Sequence, residues 1–216
     1  MGWLSNLFGG NKANSDGDVR AAFAKIDMML DDEHFQIGML PEPVQALIRS
    51  KAPVDQKEGA TGEFGMSSGN PIPVNGPIGE LAYLSKLRTK SGEGLFFHRI
   101  GSVGSVDVFE AVSISGSDWF VFFLDMYYPK RSRRAPAGLS ISDKPSQFSG
   151  FTKFCQGFPY DFAEEKQKNS GSGLNLAYIP LSKADECFRN GTFLERPPVH
   201  GAKLALARAE LSVVLS

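Results

Sequence analysis

Residues Trp119-Phe120-Val121-Phe122-Phe123-Leu124-Asp125-Met126-Tyr127-Tyr128 make a run that is apolar on both faces of any strand it forms. Turning such a strand over does not hide it, so it must be covered on both sides and lie centrally in a sheet. Two more β-branched and aromatic runs precede it, at 95–100 and 106–114, with glycine/serine turns at 101–105 and 115–118. Connections this short force antiparallel neighbours. The chain therefore reads as α+β: an antiparallel β-meander over about 95–128 within a larger sheet, covered by helices, with an N-terminal helical segment.

Upstream, 11–17 is a linker, and the apolar residues from Val19 (Ala22, Phe23, Ile26, Met29, Leu30) recur at helical spacing and fade near Asp31-Asp32-Glu33. A short helix is expected over 40–49, with proline in its first turn, followed by a polar loop over 51–69. The densest cluster of backbone-special residues is Asn70-Pro71-Ile72-Pro73-Val74-Asn75-Gly76-Pro77-Ile78-Gly79-Glu80. It feeds a helix over 77–88, with Asn75 or Gly76 as N-cap, Pro77 at the first helical position and Glu80 complementing the dipole. Ile78, Leu81, Ala82, Leu84 and Leu87 form its buried stripe. Asn75 and Gly76 at this helix start are candidate anion-binding residues. Against that, Pro77 removes an amide and no Lys or Arg lies within 70–80, so a rigid packing loop is the default.

Beyond the meander, 174–179 reads as a strand and 181–189 as a short helix; Pro197-Pro198 breaks the chain. The tail over 202–215 fits helix or strand, with Leu204, Leu206, Ala207, Leu211, Val214 and Leu215 favouring helix. The domain reading is an apolar segment and linker at 1–17, then one α+β domain at 18–216, helical over 18–52 and sheet-containing over 70–216.

The length of 216 residues allows a sizeable core, and seventeen Phe against five Tyr and two Trp point to an aromatic-rich one. A net charge of −1 supplies no field toward nucleic acid or an anionic membrane, so neither is an expected general partner. The two cysteines, Cys155 and Cys187, lie in no disulfide framework or zinc pattern, and a reducing, cytoplasmic setting is expected. No metal and no cofactor is called for by any motif. No apolar run reaches the roughly 20 residues of a transmembrane helix. Trp3, Leu4, Leu7 and Phe8 offer at most weak docking on a membrane or a protein partner.

Three ionisable residues interrupt the strands: His98, Glu110 and Asp125. Symmetric hairpins put Val108 opposite both His98 and Asp125, and Glu110 opposite Phe123, so all three share one face. Such a group can act as general acid and base, as in a hydrolase, and is the candidate catalytic set. Its ordinary counterpart is a buried polar pairing within the sheet, with His98 or Arg99 as the partner of Asp125. The loop bearing Lys130, Arg131, Arg133 and Arg134 is the candidate binding segment for an acidic or phosphate-bearing partner. Lacking a catalytic signature, the chain is expected to be a non-enzymatic interaction or accessory protein; the alternative is a small hydrolase-like enzyme built on His98, Glu110 and Asp125.

Overall fold

The computed structural model describes residues 28–144, 150–151, 154–160 and 195–213. The expected segments at 1–17, 174–179 and 181–189 lie outside them, as does most of the helix expected from Val19.

That helix does not simply fade at its acidic end. Residues 28–31 are helical, and Asp32 then caps a new helix, α1 (Glu33–Gly38), by accepting from the Phe35 amide at 3.0 Å. The aspartate read as a terminator is an N-cap. Helix α2 (Glu42–Arg49) follows, with proline in its first turn as expected.

Strand β1 (Ile72–Pro73) leads into helix α3 (Gly76–Lys86), which passes into β2 (Leu87–Arg88). The meander is β3 (Leu95–Val103), β4 (Val106–Ser113) and β5 (Trp119–Asp125). The two-residue strands β6 (Ser140–Ile141) and β7 (Gly150–Phe151) come next, and helix α4 (Pro198–Val213) closes the described chain. The main sheet has the order β1-β5-β4-β3-β7, while β2 and β6 pair separately. The centre is thus β4 rather than β5. On its outer side β5 pairs with the parallel two-residue β1, where Pro71 and Pro73 withhold amides a longer strand would need, and its Phe123 amide donates to the Gly65 carbonyl at 2.9 Å.

The demand that β5 be covered twice is met all the same. Phe122 and Leu124 join Phe97, Phe109 and Ala111 in a core under α3, with Tyr83, Leu84 and Leu87 from the helix side. Val121 and Phe123 join Val108 in a second core under Leu204 and Ala207 of α4. Of the stripe expected on α3, Ile78 and Leu81 are only half-buried; Tyr83, Ser85 and Glu80 are buried instead.

Both hairpin registers differ from symmetric closure by two residues. Gly104 adopts φ +58, allowing Val103 to pair with Val106 across a two-residue turn, with an irregularity at Ile100. His98 therefore faces Glu110 rather than Val108, Glu110 faces Val121, and Asp125 faces Val106. A shift of two preserves which face each side chain takes; a shift of one would have reversed them all.

The Pro/Gly segment is a close-packed joint. Asn75 is the N-cap of α3 by position, but its amide donates to Gln36 Oε1 (2.5 Å) and makes no cap bond. Gln36 in turn donates to the Met29 carbonyl. A Cβ on Gly79 would lie 2.5 Å from Asn75 Oδ1, and one on Gly76, at φ +81, would lie 2.9 Å from Leu40 Cδ1. Gly76→Val and Gly79→Val are each expected to destabilise by about 1–3 kcal/mol, read by thermal melting. Unchanged melting temperatures for both would show that the joint tolerates side chains.

Candidate functional site

Glu110 is the centre of a buried polar cluster on the α4 face of the sheet. Its strand neighbours Val108 and Val112 are wholly buried, so the carboxylate has no route to water along β4. It accepts four hydrogen bonds instead. His98 Nε2 donates to Oε2 at 3.1 Å and His200 Nε2 to Oε1 at 3.0 Å. Arg196 donates from Nε to Oε1 at 2.6 Å and from Nη2 to Oε2 at 3.1 Å, a two-pronged clamp.

The His98 tautomer follows from its other nitrogen. The Cys155 amide donates to Nδ1 at 3.0 Å, so Nδ1 is the bare acceptor and Nε2 carries the hydrogen offered to Glu110. Phe158 stacks on the His98 ring with centroids 4.2 Å apart, and its carbonyl accepts from Arg196 Nη2. Trp119 packs beside His200, with the Arg196 guanidinium 5.2 Å from its ring. Two segments late in the chain, 154–160 and 195–204, are thereby tied to the centre of the sheet.

Burial on its own pushes the Glu110 carboxyl up. The hydrogen bonds from His200, His98 and Arg196, with the Arg196 charge, outweigh it and bring the group down to about 2. A carboxylate this acidic, with every lone-pair direction filled, is a poor proton acceptor near neutral pH. The one polar atom of the cluster left without a partner is His200 Nδ1.

Asp125 is not part of this group. It lies opposite Val106, four positions along β5 from Val121, the residue facing Glu110. That is about 13 Å of strand. Its Oδ1 accepts from the Tyr127 amide at 3.1 Å. Neither partner expected for it is engaged there: His98 holds Glu110, and Arg99 Nη2 donates to Asp107 Oδ1 at 2.7 Å on the α3 face. Asp107 also accepts from Ser102 at 2.7 Å.

Glu80 belongs to that second cluster rather than to the dipole of α3. It is buried, and burial first, then the Asp107 charge beside it, raises its carboxyl well above the ordinary range. It is a buried carboxyl biased toward its neutral form beside Asp107, not a solvated first-turn anion.

The basic loop is bound into the molecule. Arg131, its side chain only 13% exposed, donates to the Leu30 and Asp31 carbonyls and to Glu33. Arg133 pairs with Asp55 at 3.0 Å; Arg134 donates to Gln56 and lies 4.9 Å from the Phe64 ring. These long-range partners hold Arg131 half-buried, while Lys130, Arg133 and Arg134 stay exposed on the loop expected to bind an acidic or phosphate-bearing partner. Lys51 sits 4.5 Å from the Tyr128 ring. Asn75 and Gly76 are buried in the joint below α3.

Arg196 and His200 are the cluster members that strand-based reasoning misses. A signal was present for His200: it shares the spacing of Leu204, Ala207 and Leu211, the inward face of a helix starting at the supposed break Pro197-Pro198. Among the described residues no group of three or more His, Cys, Asp or Glu is placed to hold a metal ion, and no helix is long and apolar enough to cross a membrane. Comparison of the chain with protein-family models, with curated proteins and with solved structures finds no match in any of the three.

Proposed function

We propose that this is a non-enzymatic binding protein, cytoplasmic, whose sheet serves as a rigid mount for side chains offered to a protein partner. The saturation of Glu110 carries the reading. Its four donors leave nothing to accept a substrate proton, and the His98 Nδ1 that would act with it is taken by the Cys155 amide. What the cluster does is fasten two segments that carry large exposed apolar side chains among polar ones such as Gln156 and Lys203. Phe154 and Tyr160 are 51% and 56% exposed, and Val199 and Leu206 are 72% and 68%. Large apolar side chains held outward on fastened backbone are a feature of binding surfaces. The cytoplasmic part of the proposal rests on cysteine usage, with Cys155 buried and in no disulfide.

A photo-crosslinking amino acid placed at Phe154, at Val199 and at the exposed control position Lys57 tests the reading in cells that make the protein. Shared adducts at the first two positions and none at the third are expected. The proposal falls if neither position captures a protein while the purified chain hydrolyses esters or peptides and loses that activity in a folded His98→Asn variant.

A further inference from the structure

Helix α4 is apolar on two sides. His200, Leu204, Ala207 and Leu211 face the sheet, whereas Val199, Ala202, Ala205 and Leu206 face away from it and are exposed. A surface helix ordinarily sets a polar face opposite its buried one; in α4 the charges Lys203, Arg208 and Glu210 lie on the flanks instead, leaving the outward stripe apolar. The outward face is also suited to another helix. Val199 and Leu206 stand seven residues apart as projecting side chains, and Ala202 and Ala205 between them allow axes to approach to about 8 Å.

Charge indicates what covers it. Lys203 and Glu210, both exposed and also seven apart, border one flank of this face. When two copies of a helix pair antiparallel about a two-fold axis, the same flank of each meets the other. Lys203 of one copy then lies beside Glu210 of the second, and the pair occurs twice. A net charge of −1 sets no general repulsion against a second copy. We infer that the outer face of α4 is a self-association surface, joining two copies through antiparallel α4 helices. This deepens the binding reading by naming one partner, and rests on it for the face being functional.

The face is small. A helix of 16 residues is about 24 Å long and its outer stripe offers roughly 400 Å² a side, half of what a standard stable interface uses. The association is therefore expected in the micromolar range, dependent on concentration.

Sedimentation velocity on the full chain from about 1 μM to about 1 mM tests it. The parent should move from monomer to dimer mass across that range. Leu206→Glu, on an exposed side chain, should stay monomeric throughout with an unchanged circular dichroism spectrum and melt. Lys203→Glu and Glu210→Lys should each weaken association about tenfold or more, and the double exchange should restore it. A parent monomeric at every concentration, or a dimer indifferent to Leu206→Glu, overturns the surface. A double exchange no better than the single ones overturns the antiparallel pairing. Neither result touches crosslinked adducts to a different protein, which belong to the broader reading.

Discussion

Glu110→Gln is expected to lower stability by about 3–5 kcal/mol at neutral pH while leaving the shape of the side chain almost unchanged. The amide keeps one acceptor oxygen and turns an NH₂ toward donors that a carboxylate accepted. Of those donors, Arg196 Nη2 retains the Phe158 carbonyl, and His200 can move its hydrogen to the unpartnered Nδ1. His98 has no such exit, because the Cys155 amide already occupies Nδ1. In a chain of this size the loss amounts to a fall in melting temperature of roughly 6–20 °C. The pH profile should change as well. The folded carboxyl, held to about 2 against an ordinary 4.5, supplies stability that is complete above about 4.5 and lost as pH falls toward 2. The span is worth about 3 kcal/mol. Glu110→Gln should lack that acid limb. A variant as stable as the parent, with the same acid limb, would show that the four bonds are incidental.

Glu80→Gln is expected to act in the opposite direction. A carboxyl raised on folding binds its proton more tightly in the folded chain, so stability is highest at and below the unfolded value near 4.5 and declines as pH rises. While Glu80 stays protonated, each pH unit above that point costs about 1.4 kcal/mol. Glutamine is neutral at every pH and can still donate toward Asp107, so the variant should be more stable than the parent at pH 7 and lose the decline. Chemical denaturation at pH 5 and pH 7 measures both quantities. Parallel profiles for parent and variant would mean that Glu80 is ionised in the fold, with its charge answered by Arg99.

The readable parts of this molecule were the local ones. Short glycine/serine turns determined the order and direction of β3, β4 and β5, and strand periodicity put His98 and Glu110 on one face even though both registers were off by two. Proline in the first turn marked α2 and α3 for the same local reason. What was not legible depended on docking. Nothing near Arg131 announces that it will donate to carbonyls about a hundred residues earlier. Nothing near Glu80 announces that α3 will turn it inward against Asp107, when an exposed first-turn glutamate would have looked the same. Arg196 and His200 were passed over because the two prolines before the helix read as an interruption, whereas Pro198 is where α4 begins.

The wiring of Glu110 also leads us to predict an order of assembly. His98 lies 12 residues from it along the chain, Arg196 86 and His200 90. Closing a loop costs more the longer it is, so the hairpin that joins His98 to Glu110 can form while the distant segment is still roaming. The carboxylate then waits, hydrated, on an open sheet, and the arrival of α4 removes its water in exchange for Arg196 and His200. In the reverse direction the same exchange makes departure of α4 a hydration event, since water regains a charge at the moment the apolar surface over Val108, Val121 and Phe123 opens. One acidic side chain thus serves as a clasp that is fastened last and released first.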